Sequence, residues 1–332
     1  MLQAYAELHC LSNFTFLRGA SHSEELVERA ARLGYQALAI TDECSMAGIV
    51  RAHVAAKEHG MKLIAGAEFR LTPHPGPLPL KGVLNRVPGA EREKTPRPAG
   101  TGLDNLRVVL LAQNREGYGN LSELITCGRR NAEKGEYRLS RADLGSGLEH
   151  CLALWLPPAQ PQPEDAHWLA QRFPGRTWIA VELLARGGDW DRLETLQRLG
   201  RQTGLPLTAC GDVHMHVRSR RALQDTLSAI RLGVPVARVG RALLPSGERH
   251  LRRRETLERI YPRELLAETL RIAARCDFSL DSLRYEYPQE IVPAGETPAQ
   301  YLRRLTEEGL RWRFAPPGLR AEVRGPSENR QT

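Results

Sequence analysis

Residues 37–70 read ALAITDECSMAGIVRAHVAAKEHGMKLIAGAEFR, and their pattern decides the fold class. The run 37–41, ALAIT, is apolar and short, as a strand buried on both faces would be. Residues 49–59 space their apolar positions at helical intervals and stop at Gly60. Residues 62–70, KLIAGAEFR, return to a strand. Strand, helix and strand in that order predict a crossover between parallel strands.

The alternation continues on both sides. Upstream, 5–9 predicts a strand and 25–33 a helix ended by Gly34, with capping-box spacing in Ser21-His22-Ser23-Glu24. Downstream, strands are expected at 107–112 (RVVLLA), 151–156 (CLALWL), 177–184 (TWIAVELL) and 206–209. Helices are expected at 119–130, 165–173 and 189–203, the last ended by Gly204. An open doubly wound sheet and a closed (β/α) barrel both accommodate this order. The open sheet usually carries a glycine-rich phosphate loop. No GxGxxG or Walker A sequence follows any strand, so no nucleotide-binding loop is expected and the barrel is favoured. From 221 onward the pattern is helical, at 221–232, 255–260, 263–276 and 298–313.

Two stretches break the pattern. Residues 72–102 contain TPHPGPLPLKG and EREKTPRPAGTG, whose proline and glycine content predicts a disordered insertion. A catalytic lid is the functional alternative, with His74 its main chemical group. Residues 315–332 have no periodicity and are expected to be a disordered tail.

The chain has 332 residues, 41% of them apolar, enough for a large core. No run approaches the roughly 18 apolar residues of a membrane span, and the start has no signal-peptide pattern, so a cytoplasmic protein without a membrane partner is expected. The six cysteines form no CxxC pair, which removes support for a zinc finger or a thioredoxin-like motif. The formal net charge is +8, and arginine outnumbers acidic residues from 213 onward. Such a surface attracts nucleic-acid phosphates. The candidate contacts are Arg218, Arg220, Arg221, Arg252, Arg253 and Arg254, whose bland reading is solvated helix faces.

Barrel chemistry sits at the carboxyl ends of strands. Those positions supply His9, Asp42, Glu43, Glu68, Glu182, Asp212, His214 and His216. Imidazoles and carboxylates converging on one face suit Zn, Mn or Fe. Asp212 and His214 are the sharpest pair, because alternate residues of an extended segment project to one side.

Five ordered motifs resemble the PHP domain of bacterial C-family DNA polymerases, the replicative DNA polymerase III alpha-subunit class, and most of all its error-prone branch. They are LHCLSNFTFLRGA, ALAITDECSMAGIV, LIAGAEF, VVLLAQNREGYGNLSELIT and GDVHMHVRSRRALQDTLSAIRLG. The resemblance implies a PHP-type distorted (β/α)7 barrel followed by a helical tail. Residues 1–71 and 103–217 would form the barrel, and 218–314 would complete it and lead towards a palm. It also implies a mouth that holds up to three metal ions in intact members. By position, His9, Asp42, Glu68, Asp212 and His214 keep family ligands. Leu11, Arg18, Glu43 and Arg107 stand where ligands are lost. The expectation is a vestigial metal site with no catalytic residues and at most one weakly bound Zn or Mn. Arg18 or Arg107 would replace a metal by pairing with Glu68 or Asp212. Mg belongs to the family's palm, before which the chain is expected to be truncated. The function implied is that of a non-catalytic module of an error-prone polymerase serving DNA repair and damage-induced synthesis. Its partners would be DNA, palm, thumb and accessory subunits. The alternatives are a metal-dependent PHP phosphoesterase and a DNA-binding module.

Overall fold

The computed structural model describes residues 2–72, 106–284 and 292–314. The chain divides into two compact units, Met1–Leu283 and Arg284–Thr332. The expected insertion, apart from Thr72, and the expected 315–332 tail lie outside the described residues.

The first unit is built on a seven-stranded sheet whose strands follow chain order. They are β1 (Ala6–Glu7), β2 (Ala37–Ile40), β3 (Lys62–Arg70), β4 (Arg107–Ala112), β5 (Cys151–Leu156), β6 (Thr177–Val181) and β7 (Leu207–Ala209). The helices between them are α1 (Ser23–Arg32), α2 (Ile49–Glu58), α3 (Arg115–Arg130), α4 (Pro163–Arg172) and α5 (Asp189–Thr203). The first and last strands approach closure through a parallel bridge between Cys10 and Val213. Leu11 N–H donates to Val213 C=O at 2.8 Å and Val213 N–H to His9 C=O at 3.0 Å. The result is a nearly closed, distorted α/β barrel.

The distortion has one source. β4 runs antiparallel to both β3 and β5, while the other neighbouring pairs are parallel. No described helix crosses over between β3 and β4, so β4 enters at the end where β3 leaves, as antiparallel neighbours do. Its first residue, Arg107, pairs with Arg70 at the end of β3. The barrel mouth therefore receives the start of β4 and the ends of the parallel strands.

Strand periodicity sorts the side chains into two layers. Ala37, Ala39, Ile64, Val109, Leu111, Leu152, Leu154, Trp178 and Ala180 form the inner core. Leu38, Ile40, Ala65, Ala67, Phe69, Val108, Leu110, Trp155 and Ile179 pack outward with helix residues such as Leu26, Val27 and Leu196. The inward parity continues to Glu68, Arg107 and Glu182, so the pattern that fills the barrel also aims these three at its mouth.

Helices α6 (Arg221–Leu232), α7 (Val236–Val239), α8 (Arg254–Ile260) and α9 (Arg263–Ala274) follow the last strand. Ile272 and Ala273 of α9, with Cys276 beyond it, join the inner core and close the foot of the barrel. Thr269 Oγ1 accepts from Ala6 N–H at 3.1 Å, which ties α9 to the first strand. Among the described residues, the second unit contains one helix, α10 (Pro298–Phe314).

Several boundaries differ from expectation for local reasons. α1 begins at Ser23, two positions before the expected 25, and its capping box sits one position later than expected: Glu25 accepts from His22 N–H at 2.9 Å, while Ser21 Oγ meets His216 Nδ1 at 2.8 Å. α3 starts at Arg115, where the Asn114 side chain accepts from Gly117 N–H at 3.0 Å. α5 ends as expected at Gly204, whose φ of 73° suits a residue without Cβ.

Candidate functional site at the barrel mouth

Glu68 is the centre of the mouth. It is fully buried on β3, where an isolated charge would be strongly disfavoured. Arg107 donates to its Oε1 through Nε at 3.0 Å and Nη2 at 2.9 Å. Arg18 Nη2 lies 3.3 Å from Oε2, and His9 Nε2 lies 3.1 Å from the same oxygen. Burial works against ionisation of Glu68, but Arg18 and Arg107 outweigh it and hold the carboxyl well below its ordinary value.

His9 bridges two carboxylates. Its Nδ1 lies 3.1 Å from Glu182 Oε1 and 3.8 Å from Asp212 Oδ1. Burial disfavours its charge, yet bonds to Glu182 and Glu68 prevail and raise its pKa. Both nitrogens face carboxylate oxygens, which accept, so the geometry calls for a protonated ring that donates from both. Burial opposes charge on Glu182 as well, but His9 lowers this carboxyl to about 2.

Asp212 receives a third guanidinium. Arg249 Nη1 pairs with its Oδ2, and His214 Nε2 donates to Oδ1 at 3.0 Å. Burial, with Arg18 adding to it, pushes His214 well below its usual value, so this ring is neutral. Burial also lowers Arg249, to about 10. Asp212 has a φ of 44°, a left-handed conformation that Asp tolerates better than most residues.

The expected ligands thus divide. His9, Glu68, Asp212 and His214 converge. Asp42 does not join them: it accepts from Ser12 N–H at 2.8 Å and from the Ser12 and Thr15 hydroxyls, both at 2.6 Å. It organises the loop that carries Arg18. Leu11 is buried in the wall. Glu43 pairs with Arg18 and accepts from Tyr137 O–H at 2.9 Å. Arg18 and Arg107, expected at lost ligand positions, both engage Glu68, and neither engages Asp212. That role belongs to Arg249, which no strand-end rule points to, because it lies in the loop before α8.

The loop bearing Arg18 depends on Gly19. A Cβ there would stand 1.9 Å from the Ser12 carbonyl oxygen. Gly19→Ala is expected to cost about 1–3 kcal/mol through this overlap. A thermal melt of the variant checks it, and an unchanged midpoint would contradict the packing argument.

Four cations, Arg18, Arg107, Arg249 and His9, face four carboxylates, Glu43, Glu68, Glu182 and Asp212. Among the described residues, His9, Glu182 and Asp212 can bring ligand atoms within 4.8 Å of one another. A metal ion there would need a deprotonated His9 and an Asp212 free of Arg249. Glu68, which would have to extend the set, is saturated by arginine. The donors do not fit a centre of several ions.

The electrostatics have a testable pH signature. Glu182 has a depressed folded pKa, so its stabilisation is present above the ordinary carboxylate value of 4.5 and is lost as pH falls to about 2. The contribution is on the order of 3 kcal/mol. Glu182→Gln is expected to unfold with a shallower acid dependence across that window. Parallel acid titrations by circular dichroism with identical slopes would refute it.

The PHP domain family matches residues 7–187. The chain belongs to that family. Among curated relatives, the error-prone DNA polymerase of Dechloromonas aromatica is 55% identical over 328 residues, covering 97% of this chain and 29% of the relative. Those of Methylococcus capsulatus and Pseudomonas aeruginosa are 55% and 53% identical, covering 96% and 97% of this chain and 28% of each relative. The chain therefore spans less than a third of the length of these relatives. A solved amidohydrolase structure from Chromobacterium violaceum covers 64% of this chain and 88% of its own, at 14% identity and a TM-score of 0.44. No described helix is long and apolar enough to cross a membrane.

The arginines expected to contact DNA occupy different environments. Arg218 lies 3.5 Å from Glu248, Arg220 pairs with Glu25, and Arg221 lies 2.7 Å from Asp225. Arg252 requires a correction. It is 3% exposed and donates to Leu183 C=O at 2.9 Å, so it braces the interior and cannot meet a DNA backbone. Arg253 and Arg254 remain accessible.

Proposed function

We propose that this chain is the PHP module of an error-prone DNA-directed DNA polymerase that acts in DNA repair and damage-induced synthesis. Its barrel mouth serves as a structural ion-pair cluster and does not hydrolyse phosphoesters. The observation that carries this reading is the double engagement of buried Glu68 by Arg18 and Arg107. Guanidinium groups occupy the side of the mouth where hydrolysis would need metal-bound water. At most one Zn or Mn is held, weakly, by His9, Glu182 and Asp212. Nucleotidyl transfer requires carboxylates holding Mg, which the family places in its palm, and it is not assigned to this barrel. DNA, the palm and thumb, and accessory subunits are the proposed partners, in the cytoplasm.

The test is metal content after dialysis together with Mn-supported hydrolysis of p-nitrophenyl phosphate. Less than one ion per chain and no hydrolysis are expected. Two or more retained ions, or hydrolysis that disappears in Glu68→Ala, would replace this reading with that of a phosphoesterase.

A further inference from the structure

A second concentration of arginine lies away from the mouth. α1 runs back from the mouth, so its last turn lies towards the foot of the barrel. Arg29 and Arg32 of that turn, with Leu33, line a cavity of about 430 Å³ together with Arg253, Arg254 and Glu255. The segment is fixed from below. Tyr35 O–H donates to Arg252 C=O at 2.6 Å, and the Arg252 guanidinium is anchored in the interior. Arg254 lies against Gly34, where an added Cβ would stand 3.3 Å from Nη2.

The charge in this cavity is not balanced as it is at the mouth. Arg32 pairs with Glu28 on the same helix, and Glu255 lies at the wall. Among the described residues, Arg29, Arg253 and Arg254 form no ion pair. Arg29 Nε is shielded from water and has no hydrogen-bond partner. A half-charge at the end of one helix accounts for one arginine there and not for four. Gathered guanidinium groups with free donors match the oxygens of a phosphate. The lining has no aromatic ring on which a base could stack, so the cavity suits a backbone and not a base.

We propose that the Arg29–Arg32–Arg253–Arg254 cavity is a DNA phosphodiester-backbone site, binding without regard to sequence. The choice of DNA over a free phosphate rests on the polymerase reading above. The cavity itself makes no use of the barrel mouth.

The experiment is fluorescence anisotropy of a labelled DNA duplex with the full chain, titrated across salt concentration. Each phosphate neutralised contributes about 0.9 to the slope of log affinity against log salt. Arg253→Gln is expected to lower the slope by about 1. The combined R29Q, R32Q, R253Q and R254Q chain is expected to lose at least about tenfold in affinity at low salt. R218Q, R220Q and R221Q together are expected to change neither quantity, and a second duplex sequence is expected to bind equally. Thermal melts establish that each variant is folded, and the Arg253 variant, altered at an exposed position, keeps the test decisive if the combined one is not. Unchanged affinity and slope in the Arg253 variant and in any folded combined variant would overturn the cavity assignment, even with DNA binding intact. Loss confined to the Arg218 group would do the same. Absence of DNA binding by the unmodified chain at low salt would overturn it too, and would leave the metal and hydrolysis test of the mouth untouched. Saturation by inorganic phosphate at concentrations where DNA does not compete would reassign the cavity to a small anion.

Discussion

Arg107→Ala is expected to lower the unfolding free energy by about 3 kcal/mol, the lower end of the range for breaking one side of a buried ion pair. The lower end applies because Glu68 keeps Arg18 and His9 as partners. What remains is a fully buried carboxylate that has lost both hydrogen bonds to Oε1. Urea unfolding of the parent, Arg107→Ala, Glu68→Gln and the double variant closes a cycle that isolates the pair. The double variant should be less destabilised than the sum of the singles, because each single leaves a charge without its counterpart. Additive effects, or a loss below about 1 kcal/mol, would mean that the contact contributes little. The companion expectation concerns cations. With Arg18 and Arg107 both replaced by alanine, Glu68 becomes available as a ligand, and millimolar Mn should raise the melting temperature of that chain by more than it raises that of the parent.

Asp212→Asn is the second large effect, again about 3 kcal/mol. Asparagine keeps the side-chain volume and tolerates the left-handed backbone at φ 44°, so the change isolates the charge. Arg249 then faces no carboxylate at contact distance, although Glu182 still lies within electrostatic reach. Asp212→Ala should cost about 1 kcal/mol more, because alanine is strained at that φ. Urea unfolding of the two variants reads both quantities. Equal losses would remove the backbone contribution, and a neutral asparagine variant would refute the ion-pair account of Asp212.

These two replacements show how unevenly the site could be read from sequence. His9, Glu68, Asp212 and His214 stand next to strand ends, and strand ends are visible as short apolar runs. Glu182 was legible in the same way, as the residue after β6, although it is not among the family ligands carried over. Asp42 stands at an equally good strand end, yet Ser12 and Thr15 capture it. Hydroxyl groups 30 and 27 positions upstream give no periodic signal. Arg249 belongs to a loop, where no period constrains the side chain, and only the folded path of 233–253 brings it to Asp212. The arginine cavity was half legible: Arg253 and Arg254 belong to a basic run, whereas Arg29 and Arg32 lie on a helix more than 200 positions upstream, and only the fold brings them together.

By itself the sequence determined the alternating α/β order, the inward parity that aims Glu68 and Glu182 at one end, and the family. Apolar spacing and motif order are local properties, readable one element at a time. Only the tertiary structure decided that β4 runs antiparallel, and with that, that Arg107 enters the mouth at the start of its strand. It also decided which arginine meets which carboxylate. Charge pairing depends on distances of about 3 Å between residues far apart in the chain, and no local pattern encodes them.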